Sequence, residues 1–165
     1  MRKMNELGRK IAEMPVHVDV RTLRMARSGM ISGVISILLN GEYFPEKEWN
    51  DFPVIVLYMW LDAAARVWQG TLSDAEFRFM DGPFWFEVTP RGKSWFIRCQ
   101  DDHGSSGPSE GPRAEIDAKF MTESIITCAN RVLDVCKIKS WNNRDINDLQ
   151  MGVTTARATL ASASR

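Results

Sequence analysis

Chemically reactive side chains are scarce in this chain. Its three cysteines, Cys99, Cys128 and Cys136, are an odd number without Cys-x-x-Cys spacing, which argues against both a disulfide framework and a zinc motif and for reduced thiols. Cys128 and Cys136 stand too far apart on an expected helix to bridge. Only two histidines are present, His17 on the polar side of an expected strand and His103 in an expected acidic loop, and neither placement suits a nucleophile–base pair. A glycine-rich phosphate cradle is missing too.

Net charge is absent as well. Lys plus Arg and Asp plus Glu number 21 each, so the chain as a whole has no electrostatic reason to bind nucleic acid or a membrane surface. Any charged surface must be local. The longest apolar run, Phe52 to Leu61, falls well short of the roughly 20 residues of a membrane span, and Met1 to Met14 lacks the apolar core of a signal peptide. These absences predict a cytoplasmic protein without metal, cofactor, membrane or nucleic-acid partner.

What the chain does have is apolar bulk. Hydrophobic residues make up 44% of it, with six Trp and eight Phe, enough for one sizeable core in a single domain. The organising stretch runs from Trp49 to Gly70. Asn50 or Asp51 can cap its first amides, Pro53 fits the first helical turn, and Gly70 fits the residue past the end. Nearly every side chain between is apolar, so this helix is expected to be wrapped from several directions. Asp62 and Arg66, one turn apart on it, read as an ion pair.

Around this helix the period-two and helical patterns alternate. Residues 1–15 read as a tail or a short helix, residues 16–160 as the folded domain, and 161–165 as a tail. Val16, Val18 and Val20 alternate with His17, Asp19 and Arg21 as in a strand with one wet face, and Ile31 to Leu39 reads as an interior strand. Asn40-Gly41 would make a hairpin turn, but the acidic residues after Phe44-Pro45 suggest that the chain leads straight into the helix. Beyond Gly70, three aromatic strands are expected at Glu76–Met80, Phe84–Thr89 and Lys93–Gln100. A loose four-residue loop should separate Phe79 from Phe84, because Pro83 cannot donate the amide that a tight Asp-Gly turn needs.

The next turn, Thr89-Pro90-Arg91-Gly92, sets the register. Closed with a left-handed bulge, it puts Phe86 opposite Phe96 and turns Trp85, Trp95, Ile97 and Arg78 away from the core, and this is the register expected. With a two-residue turn the last strand slips by one, and Trp95, Ile97 and Cys99 join the core. Asp101 to Pro112 reads as a loop, Ala114 to Lys137 as a long helix, and Ser140-Trp141-Asn142-Asn143 supplies cap candidates for a last helix with Ile146, Leu149, Val153, Ala156 and Leu160 on one side. The fold class expected is α+β, with an antiparallel sheet of about five strands packed on the central helix and two C-terminal helices.

No catalytic constellation emerges. Asp81 draws notice because Phe79, Met80 and Pro83 surround it, and a pocket between sheet and helices near Asp81 is the alternative reading, that of a small-molecule binder or enzyme. Two acidic clusters, Glu46-Glu48-Asp51 and Asp101-Asp102 with Glu110, read either as solvated loops or as a surface for a basic partner. A strand ending at Asn40-Gly41, then Phe44-Pro45, Trp49-Asn50-Asp51-Phe52, an apolar helix through Trp60, and Phe79-Met80-Asp81-Gly82-Pro83 together resemble the layout of small bacterial α+β proteins that include polymorphic-toxin immunity proteins. The resemblance spans about Ile31 to Val153. It implies a non-enzymatic protein that binds and blocks a cognate toxin, often through acidic residues. The balanced charge departs from the most acidic of these proteins and points away from purely electrostatic binding. Contacts are expected from Glu46, Glu48, Asp51, Asp101 and Asp102, with Trp85 and Trp95 as apolar anchors. A homodimer through an aromatic sheet face is a further possibility.

Overall fold

A computed structural model describes residues 13–102 and 108–164 of the chain. Most of the N-terminal segment, and His103 with it, lies outside them. The chain folds as α+β, but with two antiparallel sheets rather than one sheet of about five strands. The first holds β1 (Val16–Met25), β2 (Ile31–Leu39), β3 (Glu42–Phe44) and β4 (Asn50–Asp51), with β2 pairing to all three others. The second is a meander of β5 (Ala75–Arg78), β6 (Phe84–Arg91), β7 (Ser94–Asp102) and β8 (Pro108–Asp117). Three helices complete the fold: α1 (Pro53–Trp68), α2 (Ala118–Ile138) and α3 (Arg144–Ala163).

Strand β2 is interior, as its β-branched run implies, and Ile35, Ser36 and Ile37 are all buried. The Asn40-Gly41 turn does close a hairpin. Both residues take positive φ, 50° and 82°, as a type I′ turn requires, and the short β3 follows where the sequence suggests none. Strand β1 carries a bulge between Asp19 and Arg24, where the Thr22 hydroxyl donates to the Asp19 carbonyl and accepts from the Val34 amide.

Helix α1 lies in the middle. Pro53 opens it, and Gly70, at φ 74°, closes it with the Gly70 and Thr71 amides bonded to the Val67 and Arg66 carbonyls. The N-cap is Phe52, without a side-chain cap, not Asn50 or Asp51. Nine of its sixteen residues are buried, which leaves a stripe of Tyr58, Asp62 and Arg66 in water. The Asp62–Arg66 pair forms at 3.0 Å on this stripe, so it is a surface ion pair. Trp60 is wholly buried. Its indole donates to the Arg78 carbonyl at 2.9 Å, and its ring meets Phe79 and Phe86 edge-on at 5.1 and 5.0 Å.

The meander corrects the expected register. Arg91 pairs with Ser94 across a two-residue turn, Phe86 faces Cys99 rather than Phe96, and Trp95, Ile97 and Cys99 all lie in the core. Pro90 sits inside β6 at no loss, because β5 begins at Ala75 opposite Val88 and leaves no strand beside Pro90 to receive an amide. The four-residue loop between Phe79 and Phe84 forms as expected, closed by the Phe79 amide on the Phe84 carbonyl.

Two further boundaries move. The segment expected to be a loop up to Pro112 instead enters the edge strand β8, which extends to Asp117, so α2 begins at Ala118 and not at Ala114. Helix α3 matches its pattern residue for residue: the Asn143 side chain caps it by accepting from the Ile146 amide, and Ile146, Leu149, Val153, Ala156 and Leu160 are buried. No helix among the described residues is long and apolar enough to cross a membrane.

Candidate functional site

Three segments far apart in sequence meet at one corner, and the contacts that join them are specific. Asp51, at the end of β4, is 1% exposed and uses both carboxylate oxygens. One accepts the Phe52 amide at 2.8 Å, and the other accepts the Trp49 indole and the Asp81 amide, both at 3.1 Å. The loop after β5 is thereby tied to the strand before α1. Burial is the largest influence on Asp51 and raises its carboxyl above the ordinary range; the donated hydrogen bonds partly oppose it, and the nearby Asp81 charge adds to it.

The same loop reaches the end of β7, where the Asp102 amide donates to the Pro83 carbonyl at 3.1 Å and Phe84 pairs with Asp101. Aromatic rings fill the corner below. Phe84 stands edge-on to Trp49 at 4.9 Å and to Phe44 at 5.8 Å. Gly82, at φ 76°, lies flush on them: a methyl there would come within 2.8 Å of the Phe84 ring and 3.5 Å of the Trp49 ring.

Segments 46–51, 81–84 and 101–102 together carry six carboxylates, Glu46, Glu48, Asp51, Asp81, Asp101 and Asp102, against one cation, Lys47. Glu46, Glu48, Asp81 and Asp102 are exposed, Asp101 is half-buried beside the Ser109 hydroxyl, and Lys47 lies 5.8 Å over the Tyr43 ring. Met80, 45% exposed, and Pro83 put apolar surface among these charges, with Trp49 and Phe84 half-buried beneath.

The expected contact residues divide accordingly. Asp101 and Asp102 meet the Asp81 loop at this corner, whereas Glu46 and Glu48 precede the Trp49 that packs on Phe84, and Glu48 lines the groove beside β1 with Lys47, Arg21 and Arg131. Asp51 is corrected from a surface contact to a buried tie. Trp95 is corrected from an outer anchor to a core residue, 3% exposed, because the two-residue turn reverses its side of the sheet. Trp85 does lie on the outer face. It is only 7% exposed, with the Arg78 guanidinium 5.0 Å over its ring and its indole N–H without a partner among the described residues, so it offers little surface as an anchor.

The outer face of the second sheet is charged rather than aromatic. Arg98 bonds Glu87 at 3.1 Å and approaches Glu110 at 3.9 Å, Arg78 bonds Glu76, and Arg91 covers Phe96 at 4.1 Å. This removes the apolar face that the expected homodimer would use.

Candidate chemistry finds little geometry to work with. Asp81 is exposed at its turn and lines neither the cavity of about 520 Å³ at the far end of β6 nor the groove of about 760 Å³ beside β1. His17 lines that groove, half-buried and edge-on to Tyr43 at 5.8 Å, with no cysteine among the lining residues. Cys99, Cys128 and Cys136 are free and buried. Burial raises all three thiols, Cys128 to about 11, which keeps them protonated at neutral pH. Among the described residues no three His, Cys, Asp or Glu side chains gather as a metal site. Comparison of the chain with models of protein families, with characterised proteins and with solved structures returns no match.

Proposed function

We propose that the protein is a non-enzymatic binding module that recognises a basic protein partner through the acidic corner, in the manner of an immunity protein blocking a toxin. The observation that carries this reading is the convergence of three segments into one surface, with an apolar centre at Met80, Pro83, Trp49 and Phe84, a rim of Asp81, Asp101 and Asp102, and the exposed Glu46 and Glu48 on the segment that leads into Trp49. An apolar centre inside a polar rim is the usual anatomy of a protein interface, and a rim of one sign speeds encounter with a partner of the other. The corner is also held in place before any partner arrives, because Asp51 and the Asp102–Pro83 bond tie its loops to the sheets. Such pre-organisation lowers the ordering cost of association.

Co-expression with the product of the adjoining reading frame tests the proposal. If that product arrests growth, the native chain restores growth, and the charge-reversed variant D81K/D102K does not, while keeping its circular dichroism spectrum. Growth restored equally by both chains, or by neither, overturns the reading. Purified components then give a salt-dependent association rate for the native chain that falls with the charge reversal.

A further inference from the structure

The outer side of an edge strand carries amides and carbonyls that a strand from another chain can pair with. Here β1 forms one edge of the first sheet, and β5 and β8 form the two edges of the second. Alternation along each strand fixes which residues turn their backbone groups outward. The Pro15 carbonyl bonds the Leu38 amide, so Val16 faces out, and the Ala26 amide bonds the Met30 carbonyl, so Leu23 and Met25 face out at the other end of β1. By the same rule, the Phe79 amide on the Phe84 carbonyl turns Arg78 outward on β5, and the Ala118 amide on the Lys93 carbonyl turns Arg113 outward on β8.

Side chains already occupy these edge positions. The Val16 amide donates to the Ser124 hydroxyl at 3.1 Å, and the Val16 carbonyl accepts the Cys128 thiol at 3.4 Å. The Arg78 carbonyl accepts the Trp60 indole at 2.9 Å, and the Arg113 carbonyl accepts the Asn40 carboxamide at 2.8 Å. These four come from α2, α1 and the β2–β3 turn. The second half of β1 is guarded by its own side chains instead. Arg24 folds back along the strand and donates from one guanidinium nitrogen to the Leu23 carbonyl at 2.8 Å and the Arg21 carbonyl at 3.0 Å. The Asp19 carboxylate accepts the Arg21 amide at 3.1 Å and the Arg21 guanidinium at 3.0 Å. Arg21 and Arg24 are both exposed, so an incoming strand would have to displace hydrated charges before reaching the backbone.

We infer that the β1, β5 and β8 edges are closed to strand addition, and that Arg24 is the guard that keeps β1 from pairing with β1 of a second copy. Antiparallel pairing of two such strands about a two-fold axis would use the outward Leu23 carbonyl as an acceptor, and the guanidinium holds that position. A partner of this chain then meets side-chain surface rather than adding a strand to these edges. The inference is independent of the acidic corner, and neither proposal needs the other.

Sedimentation velocity of the full chain over a range of concentrations, with amide hydrogen exchange, tests it. The variant R24T removes the guard and puts a good strand former in its place, whereas R24K keeps a charge and a donor. The native chain and R24K should stay monomeric, and R24T should shift from monomer to dimer as its concentration rises. R21T/R24T, which also removes the clamp on Asp19, should make that shift at lower concentration. Slowed exchange at the Leu23 and Met25 amides should accompany it. Dilute samples of every variant should keep the native melting temperature, since the substituted side chains are exposed. The inference is overturned if both opened variants remain monomeric, if R24K associates as readily as R24T, if the native chain itself pairs through β1, or if association leaves those two amides unchanged.

Discussion

Replacing Asp51 separates two opposed effects at one buried carboxylate. Asp51→Ala leaves three donors without an acceptor, the Phe52 and Asp81 amides and the Trp49 indole. At about 1 kcal/mol for each orphaned donor, the loss comes to about 3 kcal/mol. That is a large share of the roughly 5 to 15 kcal/mol by which a domain of ordinary size is stable. Asp51→Asn keeps the shape but turns an amide group toward at least one donor, and should cost about 1 to 2 kcal/mol. Urea unfolding read by tryptophan fluorescence measures both, with the denaturant slope unchanged if the compactness of the two end states is unchanged.

The pH dependence supplies the stricter test. Burial holds the folded carboxyl above its unfolded value of about 3.9, so the folded state binds more protons in the window just above that value, and native stability falls there as pH rises. The asparagine amide of the variant does not titrate. The penalty of Asp51→Asn should therefore be largest near about pH 4 and shrink toward neutrality. A penalty that grows between those limits would show that the three donors outweigh burial and lower the carboxyl, and the argument from desolvation would fail.

Three other substitutions or reagents probe separate features. Gly70→Ala meets nothing within 4 Å, so its cost is conformational alone, about 1 kcal/mol from placing alanine at positive φ; a neutral result in thermal unfolding would refute the α1 closure described above. Asn143→Ala removes the α3 cap and the side-chain bond to the Gly29 carbonyl, and should cost about 1 to 2 kcal/mol in urea, whereas Asn143→Asp should retain the cap and lose only the second contact. A thiol reagent at neutral pH should label none of the three cysteines in the native chain and all three after unfolding, and rapid labelling of Cys128 would contradict its burial.

Helix α3 and the Pro53 and Gly70 ends of α1 are legible in the sequence because their signals are local, whereas the start of α2, expected at Ala114, is not. Asn143, the spacing from Ile146 to Leu160, Pro53 and Gly70 each act within one or two turns, and the structure uses them in that way. The meander register is not legible, since Pro90 reads as a turn former on sequence grounds and becomes an ordinary strand residue only where β5 stops short of it. Strand β8 is hidden for a related reason. An edge strand tolerates proline, glycine and charge, so Pro112, Gly111 and Glu110 imitate a loop, and the alternation of Arg113, Ala114, Glu115 and Ile116 is the one sign of it. Of the candidate site, the acidic residues can be named from sequence but their meeting cannot. It depends on Asp51 turning inward to hold Asp81, while Glu46 and Glu48 beside it stay in water.

The balanced charge of the chain conceals an uneven arrangement, and the two sheets account for it. On the outer face of the second sheet, arginines are matched by acids: Arg98 with Glu87 and Glu110, Arg91 with Glu115, Arg78 with Glu76. These pairs are partly exposed and contribute little stability one by one, but they cancel one another's field and leave that face electrostatically quiet. They also cap Trp85 and Phe96 with guanidinium groups, which makes a poor surface for apolar self-association. For Asp81 and the acids of residues 46–48 no such matching is seen among the described residues. Glu46, Glu48 and Asp81 form no ion pair among the described residues, and Lys47, the one cation in those segments, is drawn toward the Tyr43 ring. A chain with zero net charge can therefore present a negative field at one place. Because that field comes from a few exposed groups around an apolar centre, added salt should slow encounter with a basic partner while leaving much of the bound complex's lifetime intact.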